Sequence, residues 1–276
     1  MIKIVADSSA DMQKLNNTEF CSVPLKIITE EKEYIDDKDL DVAGMVLDLS
    51  KLNGKSSTAC PSVGDWLEAF GDAEEIFCIT ITSGLSGCYN SAVIAKREYE
   101  EKYPDRKVFV IDSLSTGPEM KLIAEKLEEY ILNGESFSDI CKKIKLYLNK
   151  TGLLFMLRSL KNLANNGRVS KIIAKAVGVL GIRIVGRASD VGELEQLSKN
   201  RGEKNGLTAL FETMKSLGYN GGKVRLAHCN NENGAKELEL IIRAEFSGAD
   251  IEIYPCRGLC SFYAEEGGIL LGFEKE

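Results

Sequence analysis

Residues 77–93 read "FCITITSGLSGCYNSAV". An apolar, β-branched run stops at Thr82. Hydroxyls and glycines follow at Thr82, Ser83, Gly84, Ser86 and Gly87, and then a helical pattern begins. This is a strand, a polar turn and a helix. A fully apolar strand feeding a helix is the repeating unit of a parallel sheet covered on both faces. The same unit recurs. "IKIVA" runs into "DSSAD" at 7–11, and "KVFVID" runs into "DSLSTG" at 112–117. Three strands therefore end in hydroxyl-rich turns on one sheet edge, where parallel α/β sheets hold their ligands.

The rest of the first half fits that frame. "SVPLKI" is read as a strand, "MVLDLSKL" as a helix and "SSTACPS" as a loop. Ser62 stands as the N-cap of "SVGDWLEAF", with Asp65 three residues on. "PEMKLIAEKLEEYILNG" opens on Pro118 and closes on Gly134. The pattern changes near residue 151. Two helical segments broken at "NNGR" precede a hairpin of "IRIVGRA" and "LEQLSKN", and helices then alternate with "KVRLAHC", "DIEIYP" and "GGILLGFE". The expected fold is α/β with two lobes. Residues 1–150 form a mostly parallel sheet with helices on both faces, and 151–276 form a mixed α/β lobe.

Composition narrows the function. The chain has 276 residues, 44% of them hydrophobic, enough for a substantial core. A net charge of −7 argues against nucleic acid or an anionic membrane as the main partner. No apolar run is long enough to span a membrane, and no leader is read before "IKIVA". The eight cysteines include no CxxC pair and are read as reduced, structural thiols of a cytoplasmic protein.

The turns carry no Lys or Arg. Neutral hydroxyls and helix N-termini suit a weakly charged head such as a carboxylate better than a triphosphate. The alternative is that these serines and threonines only cap helices. No P-loop and no dinucleotide fingerprint are present, and "GLSGC" around Ser86 lacks the last glycine of a nucleophile elbow. A hydrolase would have to use His228, the single histidine, which ends an apolar run. No metal, cofactor or catalytic residue is assigned. A binding site is what the residues offer.

Five blocks then occur in order: "IKIVADSSADM", "TACPS" at 58–62, "ITSGLSGCYNSA" at 81–92, "VIDSLS" at 110–115 and "LKNLANNGRVS" at 160–170. Together they resemble the DegV family along nearly the whole chain. The resemblance implies a protein that binds one long-chain fatty acid between its lobes, for lipid transport or as partner of a fatty acid kinase subunit. It also implies site residues. The family's Thr-Ser-Gln-Pro-Ser block leaves Thr58 and Ser62 as hydroxyls, and the serine-rich turn gives Thr82 and Ser83, with Ser83 the first choice as carboxylate ligand. The Gly-Gly-Arg-Ile-Ser block gives Arg168, whose other reading is a helix C-terminal or interlobe ion pair. Many members end in Gly-Thr-His-Thr-Gly-Pro-Gly; aligning that run on the glycine-rich tail here puts Tyr263 in place of its histidine. A tyrosine donates a hydrogen bond but offers no proton near neutral pH. Glu265 and Glu266 beside it burden an acyl phosphate unless they face solvent. Binding is expected to carry over better than phosphoryl transfer. An acyl-donor subunit working with a fatty acid kinase, a small hydrolase using His228, and an interaction module with an empty pocket stay open as alternatives.

Overall fold

The computed structural model describes residues 1–52, 54–169 and 181–276. In chain order, β1 (Ile2–Asp7), β2 (Glu19–Val23), β3 (Lys26–Thr29) and β4 (Glu33–Ile35) lead into α1 (Val42–Lys51). Next come β5 (Ser56–Ala59), α2 (Val63–Phe70), β6 (Glu75–Thr80), α3 (Cys88–Lys102), β7 (Lys107–Asp112), α4 (Gly117–Leu132) and α5 (Phe137–Tyr147). Strands β1, β2, β6 and β7 form a parallel sheet in the order β2-β1-β6-β7. Its central strands are buried on both faces, as their uninterrupted apolar runs require.

The second half contains β8 (Thr151–Leu157), α6 (Lys161–Asn165), β9 (Ile182–Ala188) and β10 (Leu194–Arg201). It continues with α7 (Glu203–Ser216), β11 (Val224–His228), α8 (Glu232–Glu245), β12 (Ile251–Pro255), α9 (Gly258–Ala264) and β13 (Ile269–Glu274). Its sheet runs β10-β9-β8-β13-β11-β12 and is mixed, with only β11 and β12 parallel. The hairpin of β9 and β10 forms as its sequence indicates. Both sheets bear out the α/β class with a parallel first lobe and a mixed second lobe.

Helix α4 lies between the sheets. Met120, Ile123 and Leu127 join the core of the first sheet. On its other side α4 packs so tightly on β13 that a Cβ at Gly272 would stand 2.6 Å from the Pro118 carbonyl carbon. Helix α4 buries Met120, Leu122, Ile123, Ala124 and Leu127 together with Glu119 and Glu128, while Lys121, Glu125 and Lys126 stay part-exposed and Glu129 exposed.

Three local readings are corrected. "SVPLKI" is not one strand, because Pro24 lacks the N–H that a ladder needs and splits it between β2 and β3, in different sheets. "SSTACPS" is not all loop. Ser56–Ala59 is β5, paired with β3 in a small antiparallel sheet ordered β4-β3-β5. Helix α9, rich in Cys, Ser and aromatics, was not anticipated at all. The helical reading after "NNGR" falls on 170–180, outside the described residues, and so does Ser170 of the arginine block.

Candidate functional site

Alternation along β8 places Leu153, Phe155 and Leu157 on one face and Leu154 and Met156 on the other. The second set packs against α7 in the core beneath the mixed sheet. The first set lines a cavity of about 690 Å³, counting its mouth. Leu270 of β13 continues this wall. Helix α9 supplies Leu259, Cys260, Tyr263 and Ala264, the i, i+1, i+4, i+5 face of one short helix. The first lobe closes the other side with Leu25, Ile81 and Leu85. The walls are overwhelmingly aliphatic.

Polar groups gather near one part of this cavity. Thr58 points in from β5, and its Oγ1 lies 2.7 Å from the Tyr263 hydroxyl. Arg168 lines the same space, and its Nε donates to the Leu85 carbonyl at 3.2 Å. That bond ties Arg168 to the turn before α3, but its acceptor is a carbonyl, so it is not the ion pair of the other sequence reading. Burial pushes the Tyr263 hydroxyl pKa up, against the opposing pull of Thr58 and Arg168. The ring therefore stays a neutral O–H donor. When two hydroxyls share one hydrogen bond, one O–H remains unspent. The Thr58–Tyr263 pair can thus donate a hydrogen bond to a third group while staying together.

Two more hydroxyls line the cavity that the sequence did not single out as ligands: Ser86 and Thr116. Ser86 Oγ is 3.2 Å from the Cys88 sulfur, and Thr116 Oγ1 is 3.7 Å from that of Cys260, both weak partners. A signal for them exists in the turns. Each is the last hydroxyl before its helix, so it lies nearest the helix end that faces the ligand side.

The structure places the other candidates apart. Ser62 caps α2 in a reciprocal box with Asp65, and Asp65 N donates to its Oγ at 3.2 Å. Thr82 is buried behind the cavity and donates to the Gly192 carbonyl at 2.9 Å, clasping the turn to the β9–β10 hairpin. Gly192 has φ +76°, and a Cβ there would meet Thr82 Oγ1 at 2.0 Å, so this clasp needs glycine. Ser83 is exposed, and its N–H donates to Asp112 Oδ1. None of these three is among the cavity's described walls. Glu266 is exposed, and Glu265 accepts from Asn162 N at 3.1 Å, so neither acid lines the site.

His228 lies elsewhere, on a polar groove beside Asp11, Arg225 and Arg257. Burial lowers its pKa, and its Nδ1 accepts from Asn231 N at 3.4 Å. It shares no cavity with Thr58, Ser86 or Tyr263, so the geometry lends nothing to a hydrolase built on it. Among the described residues no His, Cys, Asp or Glu cluster could hold a metal. All eight cysteines are unbridged, and no described helix is long and apolar enough to cross a membrane.

With this geometry established, comparisons with known proteins are informative. The sequence matches the family described as "Uncharacterised protein, DegV family" over residues 1–276. A DegV domain-containing protein of Streptococcus pneumoniae is 47% identical over 276 residues, which is 99% of this chain and 98% of that protein. Two solved structures superpose with TM-scores of 0.98 at 46% identity. One is a DegV family protein of Eubacterium eligens loaded with heptadecanoic acid, covering 100% of both chains. The other is the fatty acid kinase B3 protein of Streptococcus pneumoniae loaded with linoleic acid, covering 100% of this chain and 99% of that one.

Proposed function

The chain belongs to the DegV family, and from that premise we propose that it binds a long-chain fatty acid, with the acyl tail in the apolar cavity and the carboxylate at Thr58, Tyr263 and Arg168. One observation carries the reading. A hydroxyl pair with an unspent O–H and a guanidinium adjoin a long aliphatic enclosure. That is the shape of an amphiphile with one anionic end. Ser86 and Thr116 are the further hydroxyls within reach of the head or the first methylenes.

Most of the affinity comes from the tail. Each buried methylene contributes about 0.8 kcal/mol, so about ten of them supply roughly 8 kcal/mol before ordering costs. A hydroxyl to a carboxylate contributes about 1 kcal/mol, and the arginine about 2 kcal/mol. The head group therefore orients and selects, while the tail binds. The ligand lies where the lobes meet, with the division between lobes near residue 150. Eight unbridged cysteines support a cytoplasmic compartment.

The test is mass spectrometry of an organic extract of the purified protein, with native mass spectrometry for stoichiometry. One fatty acid per chain is expected. Protein that is bare, and that takes up none of an added long-chain acid, overturns the reading.

A second reading adds a partner, a kinase subunit that phosphorylates the bound carboxylate. The likeness to the fatty acid kinase B3 protein supports it, and so does the placement of Glu265 and Glu266 away from the cavity. Tyr263 cannot supply a proton near neutral pH, so the reaction should be faster in Tyr263→His if a titrating group is what it lacks. Acyl-phosphate formation from labelled ATP with a kinase subunit decides this. No transfer by either form removes the partner.

A further inference from the structure

Helix α9 lies on the small sheet β4-β3-β5, and one row of that sheet faces it. Tyr34, Ile27 and Thr58 are direct cross-strand partners and so share a face. Ile27 and Tyr34 pack against Phe262 of α9. Thr58 meets the next residue, Tyr263, hydroxyl to hydroxyl at 2.7 Å. Asp36 stands two residues beyond Tyr34 and therefore on the same face. Its N–H extends the ladder to the Leu25 carbonyl at 2.9 Å.

Asp36 is a carboxylate with 0% exposure that the head-group site leaves unused. A helix starts with free N–H groups, and the N-cap residue of α9, Arg257, provides no side-chain acceptor for them. Asp36 takes that place from 222 positions away. Gly258 N donates to its Oδ1 at 2.8 Å, and Leu259 N donates to its Oδ2 at 2.9 Å. One N–H on each oxygen fixes the first turn in direction as well as in distance. A Cβ on Gly258 would stand 2.7 Å from Asp36 Oδ1, so this approach needs glycine. Helix α9 has only seven residues, and Tyr263 lies about 7.5 Å along its axis from Gly258. A tilt at the first turn therefore reaches Tyr263 with no length in which to relax.

We infer that Asp36 is a positioning residue of the head-group site: by fixing the first turn of α9 to the small sheet, it sets the Tyr263 hydroxyl at hydrogen-bond distance from Thr58 and from the carboxylate. This rests on the reading that the Thr58–Tyr263 pair holds the carboxylate of a fatty acid. The small sheet then grips α9 at both ends, with Asp36 on its first amides and Thr58 on its last aromatic hydroxyl. Asp36 is not among the cavity's described walls, so it reaches the ligand only through the helix. The physical consequence is a dependence. The anchor matters to the head group only while Tyr263 has a hydroxyl to place.

The experiment is a competition assay with a long-chain fatty acid on the full chain stripped of lipid, run as a double-mutant cycle with Tyr263→Phe. Asp36→Asn keeps one acceptor oxygen and turns an amide N–H toward a second N–H. It should weaken the acid about threefold, and Asp36→Ala about fivefold, the loss expected of Tyr263→Phe itself. Placed on Tyr263→Phe, neither change should weaken the acid further. Gly258→Ala crowds the same contact from the helix side with Asp36 intact. It should follow the same rule, which provides a reading if the Asp36→Ala variant does not fold. A role in the fold alone would weaken the acid by one factor with or without the Tyr263 hydroxyl, and that result overturns the inference. Full affinity in all three variants overturns it as well. A native protein that takes up no fatty acid, or a Tyr263→Phe variant that binds as tightly as the native protein, overturns the head-group reading instead, so the two failures are distinct.

Discussion

Two spaces open near the junction of the lobes, and the smaller is the better site. Counting their open mouths, the polar groove spans about 2100 Å³ and the apolar cavity about 690 Å³. In the groove most charges are spent on one another, although Asp11 Oδ2, Tyr254 Oη and Arg257 Nε are buried there without a hydrogen-bond partner. Arg225 meets Glu125 at 2.7 Å and Asp250 at 3.3 Å, and Lys121 meets Glu252 at 2.6 Å. Glu128 accepts the N–H groups of Asn17 and Thr18. In the cavity the polar groups retain capacity over an aliphatic wall. Volume alone does not mark the site of an amphiphile; a few polar groups at the end of an aliphatic wall do.

The two arginines allow this contrast to be broken. Arg225 is nearly buried among carboxylates, so Arg225→Ala leaves Glu125 unpaired. Stability should fall by about 3 kcal/mol in denaturant titration. Fatty acid affinity of the folded protein should stay within about twofold. Arg168→Met should do the reverse, weakening a fatty acid about tenfold. Binding of the fatty alcohol of equal length should not change. Equal losses for acid and alcohol would remove the carboxylate from Arg168.

The hydroxyl pair gives a smaller effect. Tyr263→Phe and Thr58→Val should each weaken the acid about fivefold, and the double variant by less than the product, since either change releases the shared hydrogen bond. Strict additivity would mean that the two hydroxyls act apart.

Acidity separates the regions in another way. Burial pushes Asp7 up to about 6 and Asp11, at the groove, up to about 7. The folded chain therefore holds protons there that the unfolded chain has released above pH 4 or so. Stability from these groups is present at low pH and lost as pH rises through the folded values. The melting temperature at pH 5 should exceed that at pH 8 by at least about 3 °C. Asp11→Asn should flatten the upper part of that slope. Asp48 and Glu74 have lowered values but are exposed, and they act below this window.

The smallest effects fall on the serines outside the cavity. Ser62→Ala should cost about 1 kcal/mol through the lost cap and leave ligand affinity alone. Ser83→Ala should change stability by no more than about 0.5 kcal/mol.

The parallel sheet was legible because strands buried on both faces are apolar without interruption, and "EIFCITI" is. The ligand side was legible from the turns. Which hydroxyl faces the ligand was not, since Ser83 and Ser86 differ only in how the turn winds before α3. The turn's first hydroxyls serve the backbone: Thr82 holds Gly192 and also accepts from Gly84 N at 3.1 Å. The pairing of Thr58 with Tyr263, separated by 205 positions, is a tertiary fact that no local pattern carries. Alignment to the family's histidine nevertheless brought Tyr263 to attention. Helix α9 stayed hidden because its seven residues are buried on nearly every side and show no periodicity.

Helix α9 also belongs to three cores at once, with Phe262 packed against Ile27, Tyr34 and Met45. Leu259 packs with the first lobe's interior and Cys260 and Ala264 with the second's, and the cavity runs along the same helix. A lipid seated there is mortar between them. By mass action, a ligand at a thousandfold excess over its dissociation constant adds about 4 kcal/mol to the unfolding free energy. A cell that runs short of lipid would then leave this chain more open to proteases. Its abundance would rise and fall with the supply of its cargo, without any change in its synthesis.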